Sequence, residues 1–364
     1  MSKTKLVLFF GGRSAEHEVS VVSARNISRA LSEDKFELSF VGIRDTGDWV
    51  LLKKAFIPDA LKRVEELPAA DVDPVSLGCE GGRPHLFFTR GSEKRPVDVA
   101  FPVLHGTYGE DGSIQGLFRV MRLPFVGCGV TSSAVGMDKD FLKRLLNEAK
   151  IPNAPFMLIT PKNNPGFDAL EKTLGLPFFI KPANAGSSVG VHKIKSRADF
   201  DKNLADAFQY DRKILAEKFM KGREIEISAF GPTEDCKVSL PGEVIPQHEF
   251  YSYEAKYLDP NGAAYKIPVE MTPEELATIQ KIAKDTYRVL GCEGMARIDF
   301  FMTGPNQFHI NEINTLPGFT SISMYPKMWE ASGWGYKDLI HALIDDALTK
   351  ARTEDALKTQ FPRG

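Results

Sequence analysis

The chain has 364 residues, 43% hydrophobic and 26% charged, with a formal net charge of −2. At that length a single core has usually stopped growing, so about two or three subdomains are expected. The balanced charge, with no Lys/Arg-rich run, argues against a nucleic-acid footprint. No stretch approaches the roughly 18 apolar residues of a membrane span. Cys79, Cys128, Cys236 and Cys292 are far apart and form no Cys-x-x-Cys. Neither a zinc site nor a disulfide framework is indicated, which suits reduced thiols in a cytoplasmic protein. The apolar run Leu6 to Phe10 is too short for the core of a signal peptide.

In chain order, the run Leu6 to Phe10 leads through Gly11-Gly12 into a helical stretch from Glu16 to Leu31. Strands are expected at Glu37 to Ile43 and Val97 to Leu104, then the turn-rich "HGTYGEDG" and a helix from Ile114 to Met121. This alternation predicts an open, mostly parallel α/β sheet in the first unit. One helix is expected over Ser132 to Ala149. Strand candidates then cluster at Phe178 to Ile180, Val189 to Ile194, Ile214 to Phe219 and Glu224 to Phe230, with one helix at Ala198 to Phe208. Clustering of this kind predicts a small α+β unit with antiparallel pairing. Residues 246–268 are aromatic, charged and aperiodic, and a loop of that length is usually functional or disordered. Thr272 to Leu290 reads as a helix with Pro273 in its first turn and a capping box from Thr272 to Glu275. Strands at Met295 to Met302 and Phe308 to Ile313, and a helix at Tyr336 to Lys350, complete the chain.

Several stretches could carry chemistry. In "MARIDFF" and "HINEIN", Asp299 lies on one strand and Glu312 and Asn314 at i and i+2 on the next. A hairpin turning near Gly304-Pro305 could bring these oxygens to one face, as Mg²⁺ shared with phosphates requires. Arg297 would share that face. Cross-strand polar pairs on a solvated surface would look the same. In "FFIKPANAGSSVGV" a strand ends at Lys181, and Gly186 to Gly190 could let backbone N–H groups approach an anion. It is neither a Walker A loop nor a dinucleotide fingerprint. It does match Gly-x-Ser-x-Gly around Ser188, a nucleophile elbow, but the strand-like "VGVHKI" stands where the elbow needs a helix. An ordinary glycine-rich hairpin is the third possibility. Lys139 begins a helix, and Glu217, Lys218 and Glu224 flank a strand edge that could hold an adenosine. Each lysine alone is more simply a solvated charge. Ser14 suits a helix cap, and Glu16, near the end of the first strand, could hold a substrate ammonium. His17 and His105 belong to no His-Glu-x-x-His motif.

Together, "GGRSAEHEVS", "HGTYGEDGSIQG", "MDKD", "KPANAGSSVGV", "EKFMKGREIE", "YEAKY", "GMARIDFF" and "NEINTLPGFTSISMYP" resemble the ATP-grasp superfamily. Within it they resemble the D-alanine:D-alanine ligases, in order and spacing, over nearly the whole chain. The resemblance implies an N-terminal α/β unit at 1–135, a small central α+β unit at 136–223, and a C-terminal α+β unit at 224–364 with an ω-loop at 246–268. It implies that ATP phosphorylates the carboxylate of one D-alanine and that a second D-alanine's amine attacks the acyl phosphate. Asp299, Glu312 and Asn314 would hold two Mg²⁺ ions, with Mn²⁺ a possible substitute. Lys139, Lys181, Ser188 and Lys218 would meet the nucleotide or its phosphates. Glu217, Lys218 and Met220 would meet the adenine edge, and Glu224 the ribose. Glu16, Ser187 and Tyr257 would form a hydrogen-bonded triad, with Glu16 on the first substrate's ammonium and His105 nearby. Arg297 and the N–H groups near Gly318 would stabilise the tetrahedral oxyanion. Lys256, in the loop, would bind substrate, and Ser323 and Met324 would meet the second carboxylate. Met324 replaces the leucine usual in the family, a volume-conserving change. Tyr257 is expected to favour the dipeptide over the D-alanyl-D-lactate ester. A homodimer in the bacterial cytoplasm, serving peptidoglycan precursor supply, is implied. A serine hydrolase using Ser188 with His248 or His309, and a non-catalytic amino-acid-binding protein, are the rivals from other classes.

Overall fold

The computed structural model describes residues 3–246 and 263–358. The chain opens with β1 (Thr4–Gly11), whose apolar run is buried on both faces, as a parallel strand covered on each side requires. Helix α1 (His17–Ala30) follows, then β2 (Phe36–Ile43), β3 (Trp49–Leu52), β4 (Val72–Glu80), β5 (Arg83–Phe88), β6 (Lys94–Pro96) and β7 (Val99–Val103). They form one sheet in the order β6-β5-β4-β3-β2-β1-β7. β1 is parallel to β2 and β7, and all other neighbours pair antiparallel. The sheet is therefore less parallel than expected: parallel pairing is confined to three strands at one end. The antiparallel strands come from residues 49–96, where no long apolar run announces them; β6 is exposed along its length.

Next come α2 (Ser113–Val120), α3 (Val130–Met137) and α4 (Lys139–Glu148). The single helix expected over Ser132 to Ala149 is two helices. Asp138 takes an extended conformation between them, and its Oδ1 accepts from the N–H groups of Asp140 and Phe141, so it caps α4. The central region holds β8 (Phe156–Ile159), α5 (Phe167–Leu174), β9 (Phe178–Pro182), β10 (His192–Ile194), α6 (Arg197–Ala207) and β11 (Ile214–Lys218). Its sheet, β10-β9-β11-β8, is antiparallel throughout, as the clustered strands predicted, but the strand expected at Glu224 to Phe230 belongs to the next sheet and the unpredicted β8 stands in this one. Helix α5 has no counterpart in the sequence reading; it is short and lies between Gly166 and Gly175.

The last region holds β12 (Arg223–Gly231), β13 (Lys237–Val238), β14 (Gly242–Pro246), β15 (Ala263–Lys266), α7 (Pro273–Val289), β16 (Gly294–Gly304), β17 (Gln307–Asn314), α8 (Met324–Ala331) and α9 (Tyr336–Asp355). Its sheet runs β15-β14-β12-β16-β17, with β13 on β12. The capping box between Thr272 and Glu275 is formed. Within the expected ω-loop, Ala263–Lys266 is strand, and Lys256 and Tyr257 lie outside the described residues. One apolar core joins Leu6, Leu8 and Phe10 of β1 to Phe319, Tyr325 and Trp329 and to Leu339 and Leu343 of α9. The central region has its own core, with Ile159, Phe178, Phe200 and Ala216. Among the described residues no helix is long and apolar enough to cross a membrane.

Candidate active site

The β16–β17 hairpin sets the polar constellation. Arg297 lies opposite Asn314 and Asp299 opposite Glu312, so all four side chains share one face, as their spacing predicted. Beyond that pair the register shifts, and Phe300 pairs with Ile310. Asn311 is thus the extra residue of a bulge, a device that re-aims side chains beside active sites. Arg297 forks onto Asp299, with Nε to Oδ1 at 2.8 Å and Nη2 to Oδ2 at 2.7 Å. Its Nε also lies 2.9 Å from Glu226 Oε2. Asn314 Nδ2 donates to Asp299 Oδ2 at 3.0 Å. Burial works against the Arg297 charge, but Asp299 and Glu226 outweigh it and hold the guanidinium pKa well above its ordinary value.

This face forms one wall of an open cleft of about 500 Å³ where the three sheet regions meet. Of the residues predicted from the sequence, Glu16, His105, Lys139, Ser187, Glu224, Arg297, Asp299, Glu312, Asn314, Gly318, Ser323 and Met324 line it. One close approach, at Gly106, shapes the Glu16 corner. A Cβ on Gly106 (φ +74°) would sit 2.9 Å from Glu16 Oε2, and one on Gly186 would sit 3.5 Å from the same atom. Glycine at 106 lets Glu16 lie against the loop after β7, while Gly186 leaves ordinary van der Waals room on the side of the glycine-rich loop. Ser187 and Ser188 there take left-handed backbone (φ 52° and 59°), which non-glycine residues seldom adopt without a constraint. The loop ends in β10 and not in a helix, so Ser188 does not sit on a nucleophile elbow.

His105 is buried. Its Nδ1 donates to the Leu316 carbonyl at 3.0 Å, which leaves Nε2 to accept from Ser23 Oγ at 3.3 Å. Burial lowers its pKa, which favours the neutral ring. His17, also buried, donates from Nδ1 to the Gly12 carbonyl at 2.8 Å and accepts from the Val64 N–H at 3.0 Å through Nε2. Asp45 and Glu65 lie nearby, but with both ring nitrogens committed His17 is a structural residue and not a metal ligand.

The lysines divide. Lys139 Nζ donates to the Ala185 carbonyl at 2.9 Å and lies 3.5 Å from Glu312 Oε2, linking the start of α4, the glycine-rich loop and the polar face. Lys181 Nζ lies 2.9 Å from Glu217 Oε1 and 3.5 Å from Asn311 Oδ1. Lys143, which the sequence reading passed over, lies 2.8 Å from Glu217 Oε2. Burial lowers the Lys143 pKa to about 8. Burial alone would raise that of Glu217, but the two ammoniums hold it below the ordinary range. The Glu217 carboxylate is thus spent between Lys143 and Lys181 and is buried. Both edges of β11 are paired, so a free backbone edge begins only after Lys218. Lys181, Ser188, Glu217, Lys218 and Met220 are not among the lining residues of the cleft. The sequence reading also missed Glu110 and Glu226. Glu226 is i+2 from Glu224 on β12, and Lys143 is i+4 from Lys139 on α4, so side-chain period was the available signal for both.

Asp299, Glu312 and Asn314 supply hard oxygens in the number a Mg²⁺ shared with phosphates needs, balanced here by Arg297 and Lys139. The donor set fits such an ion.

Comparison with known proteins supplies the family. Residues 5–128 match the model for the D-ala D-ala ligase N-terminus and residues 145–345 that for its C-terminus. The chain is 44% identical to a D-alanine–D-alanine ligase of Oceanobacillus iheyensis, covering all of both chains. It is 45% identical to D-alanine–D-alanine ligase A of Salmonella typhimurium, over 99% of this chain and all of the relative. Among solved structures it resembles the D-alanine-D-alanine ligase from Coxiella burnetii, with a TM-score of 0.86, 35% identity and coverage of 98% and 97% of the two chains. It also resembles the VanG D-Ala:D-Ser ligase from Enterococcus faecalis, with a TM-score of 0.83, 30% identity and coverage of 95% and 100%. With both halves matched and the whole length shared, the chain belongs to the D-alanine–D-alanine ligase family.

Proposed function

We propose that the chain joins two D-alanines into D-alanyl-D-alanine at the expense of ATP, releasing ADP and phosphate. The observation that carries this reading is that Glu16 and the Arg297–Asp299–Glu312–Asn314 constellation line one cleft. In it, the γ-phosphoryl group passes to the first D-alanine's carboxylate. The second D-alanine's amine then attacks that carbonyl, loses a proton, and phosphate leaves from the tetrahedral intermediate. Glu16 pairs with the first ammonium, and Ser187 completes its surroundings. Arg297 and the backbone at Gly318 meet the oxyanion, where preorganised donors are most effective. Lys139 and Lys181 neutralise phosphate charge, and Glu224 receives the ribose. Ser323 and Met324 border the second carboxylate. Asp299, Glu312 and Asn314 would hold Mg²⁺, which when bound shields the charge of the phosphates being aligned. Glu217 acts indirectly, by holding Lys181 in place. The division at 135/136 and 223/224 and a homodimeric state belong to the same reading.

The D-Ala:D-Ser ligase shares this fold, so fold alone does not set the second substrate. The test is phosphate release from Mg-ATP with product identification, given D-alanine alone or with D-lactate or D-serine at neutral pH. D-alanyl-D-alanine should dominate every mixture. D-alanyl-D-lactate or a D-serine product in excess would overturn the second-substrate assignment. No ATP turnover by folded protein would overturn the ligase reading.

A further inference from the structure

The turn that presents Gly318 is held by side chains far away in sequence. Leu316, two residues before Gly318, has both backbone polar groups taken by one loop. Its carbonyl accepts from His105 Nδ1 at 3.0 Å, and its N–H donates to Glu110 Oε1 at 3.4 Å. The other Glu110 oxygen accepts from the Gly106 N–H at 2.7 Å, closing that loop on itself. On the far side of Gly318, the Phe319 N–H donates to Ser23 Oγ at 3.2 Å. Ser23 in turn donates to His105 Nε2, so one hydroxyl joins both ends of the clamp. Glu110 lines the cleft beside Glu16.

We propose that Glu110 is a positioning residue: with His105 and Ser23 it clamps the Leu316–Phe319 turn to the N-terminal region and so aims the Gly318 backbone at the reacting carbonyl. The proposal rests on the ligase reading for its consequence but not for its geometry. Leu316 and Phe319 are held by residues of α1 and of the loop after β7, so this turn is tied to the N-terminal region. A short displacement there moves donors that must meet charge only in the transition state, which can cost about 100-fold in rate. The Glu110 carboxyl is pushed up to about 8, by burial first and by the Glu16 charge second. Glu16, His105 and Arg297 are the titratable groups around it. Its folded-state pKa lies above the unfolded value of 4.5, so between these values the folded chain binds a proton that the unfolded chain has released. Its contribution to stability is full below about 4.5 and is lost as pH rises towards 8.

The experiment compares Glu110→Gln, Glu110→Ala and Ser23→Ala with the unaltered chain. Glutamine keeps one acceptor and places a donor against the second N–H, whereas alanine keeps neither. Expected are losses in kcat of roughly 10-fold for Glu110→Gln and Ser23→Ala and roughly 100-fold for Glu110→Ala, with KM for ATP within about twofold. Glu110→Gln should also remove the fall in stability between about pH 5 and 8. Amide hydrogen exchange at residues 315–320 should quicken in all three variants while β1 and β16 stay protected. That readout needs no turnover, so it tests the clamp even if the unaltered chain makes no dipeptide. Unchanged exchange at 315–320, or kcat within twofold in Glu110→Ala, would overturn the proposal; so would losses that track global unfolding.

Discussion

At the scale of single residues, the most demanding feature is the buried triad of Lys143, Glu217 and Lys181. Taking three charges out of water is costly, and the ion pairs at 2.8 and 2.9 Å are what make it tolerable. Removing the middle carboxylate would strand two ammoniums. Glu217→Ala should therefore cost about 3–5 kcal/mol in urea unfolding, with Lys143→Met recovering part of the loss. A cost below about 1 kcal/mol would mean that water reaches the lysines. The i, i+4 spacing on α4 puts Lys139 and Lys143 on one face, a signal that the sequence carried and that was not used. It could not show that Lys143 points inward onto Glu217, because that depends on where β11 packs.

At the scale of elements, the substrate corner follows from strand direction. β1 and β7 are parallel neighbours, so the loops that leave their C-terminal ends emerge side by side. Glu16 from one and Gly106 from the other meet there. Gly106 takes a positive φ, and a Cβ on it would come within 2.7 Å of Ser14 Oγ and 2.9 Å of Glu16 Oε2. Gly106→Ala should displace the Glu16 carboxylate. The expected outcome is a rise of about 10-fold or more in KM for the first D-alanine, with KM for ATP unchanged, measured by initial rates at saturating ATP. An unaltered KM for D-alanine would mean that Glu16 does not anchor that substrate. The β16–β17 hairpin is the element most legible in advance. Its period of two and its Gly304-Pro305 turn placed Arg297, Asp299, Glu312 and Asn314 on one face. The bulge at Asn311 was not legible, since a register shift is a property of two paired strands. The break at Asp138 was missed for a local reason: the capping carboxylate lies inside a stretch whose apolar spacing suits one continuous helix.

At the scale of the whole molecule, the cores are unequally shared. The core around β1 is completed by Phe319, Tyr325, Trp329 and α9, so the two ends of the chain stabilise each other. The central sheet rests on a smaller core of its own. Native-state hydrogen exchange should therefore show residues 156–218 opening at lower free energy than β1 and α9, with Mg-ATP raising protection in that region. Uniform exchange across all three sheets would mean that they unfold as one unit.

By itself the sequence determined the chemistry on offer: the residue types, the strand period that aligns carboxylates, the turns that end strands, and the motif order that marks the family. These are local properties, set by side-chain alternation and backbone preference over a few residues. Which groups meet was set by how the whole chain packs. That packing committed Glu217 to two lysines, placed Glu110 beside Glu16, and gave both polar groups of Leu316 to a loop some 200 residues away in the chain. It also recruited residues 49–96 as antiparallel strands, whose short, partly exposed segments gain stability only when a neighbour completes their hydrogen bonds. Partnership between distant residues depends on packing the whole chain, and no window of sequence contains it.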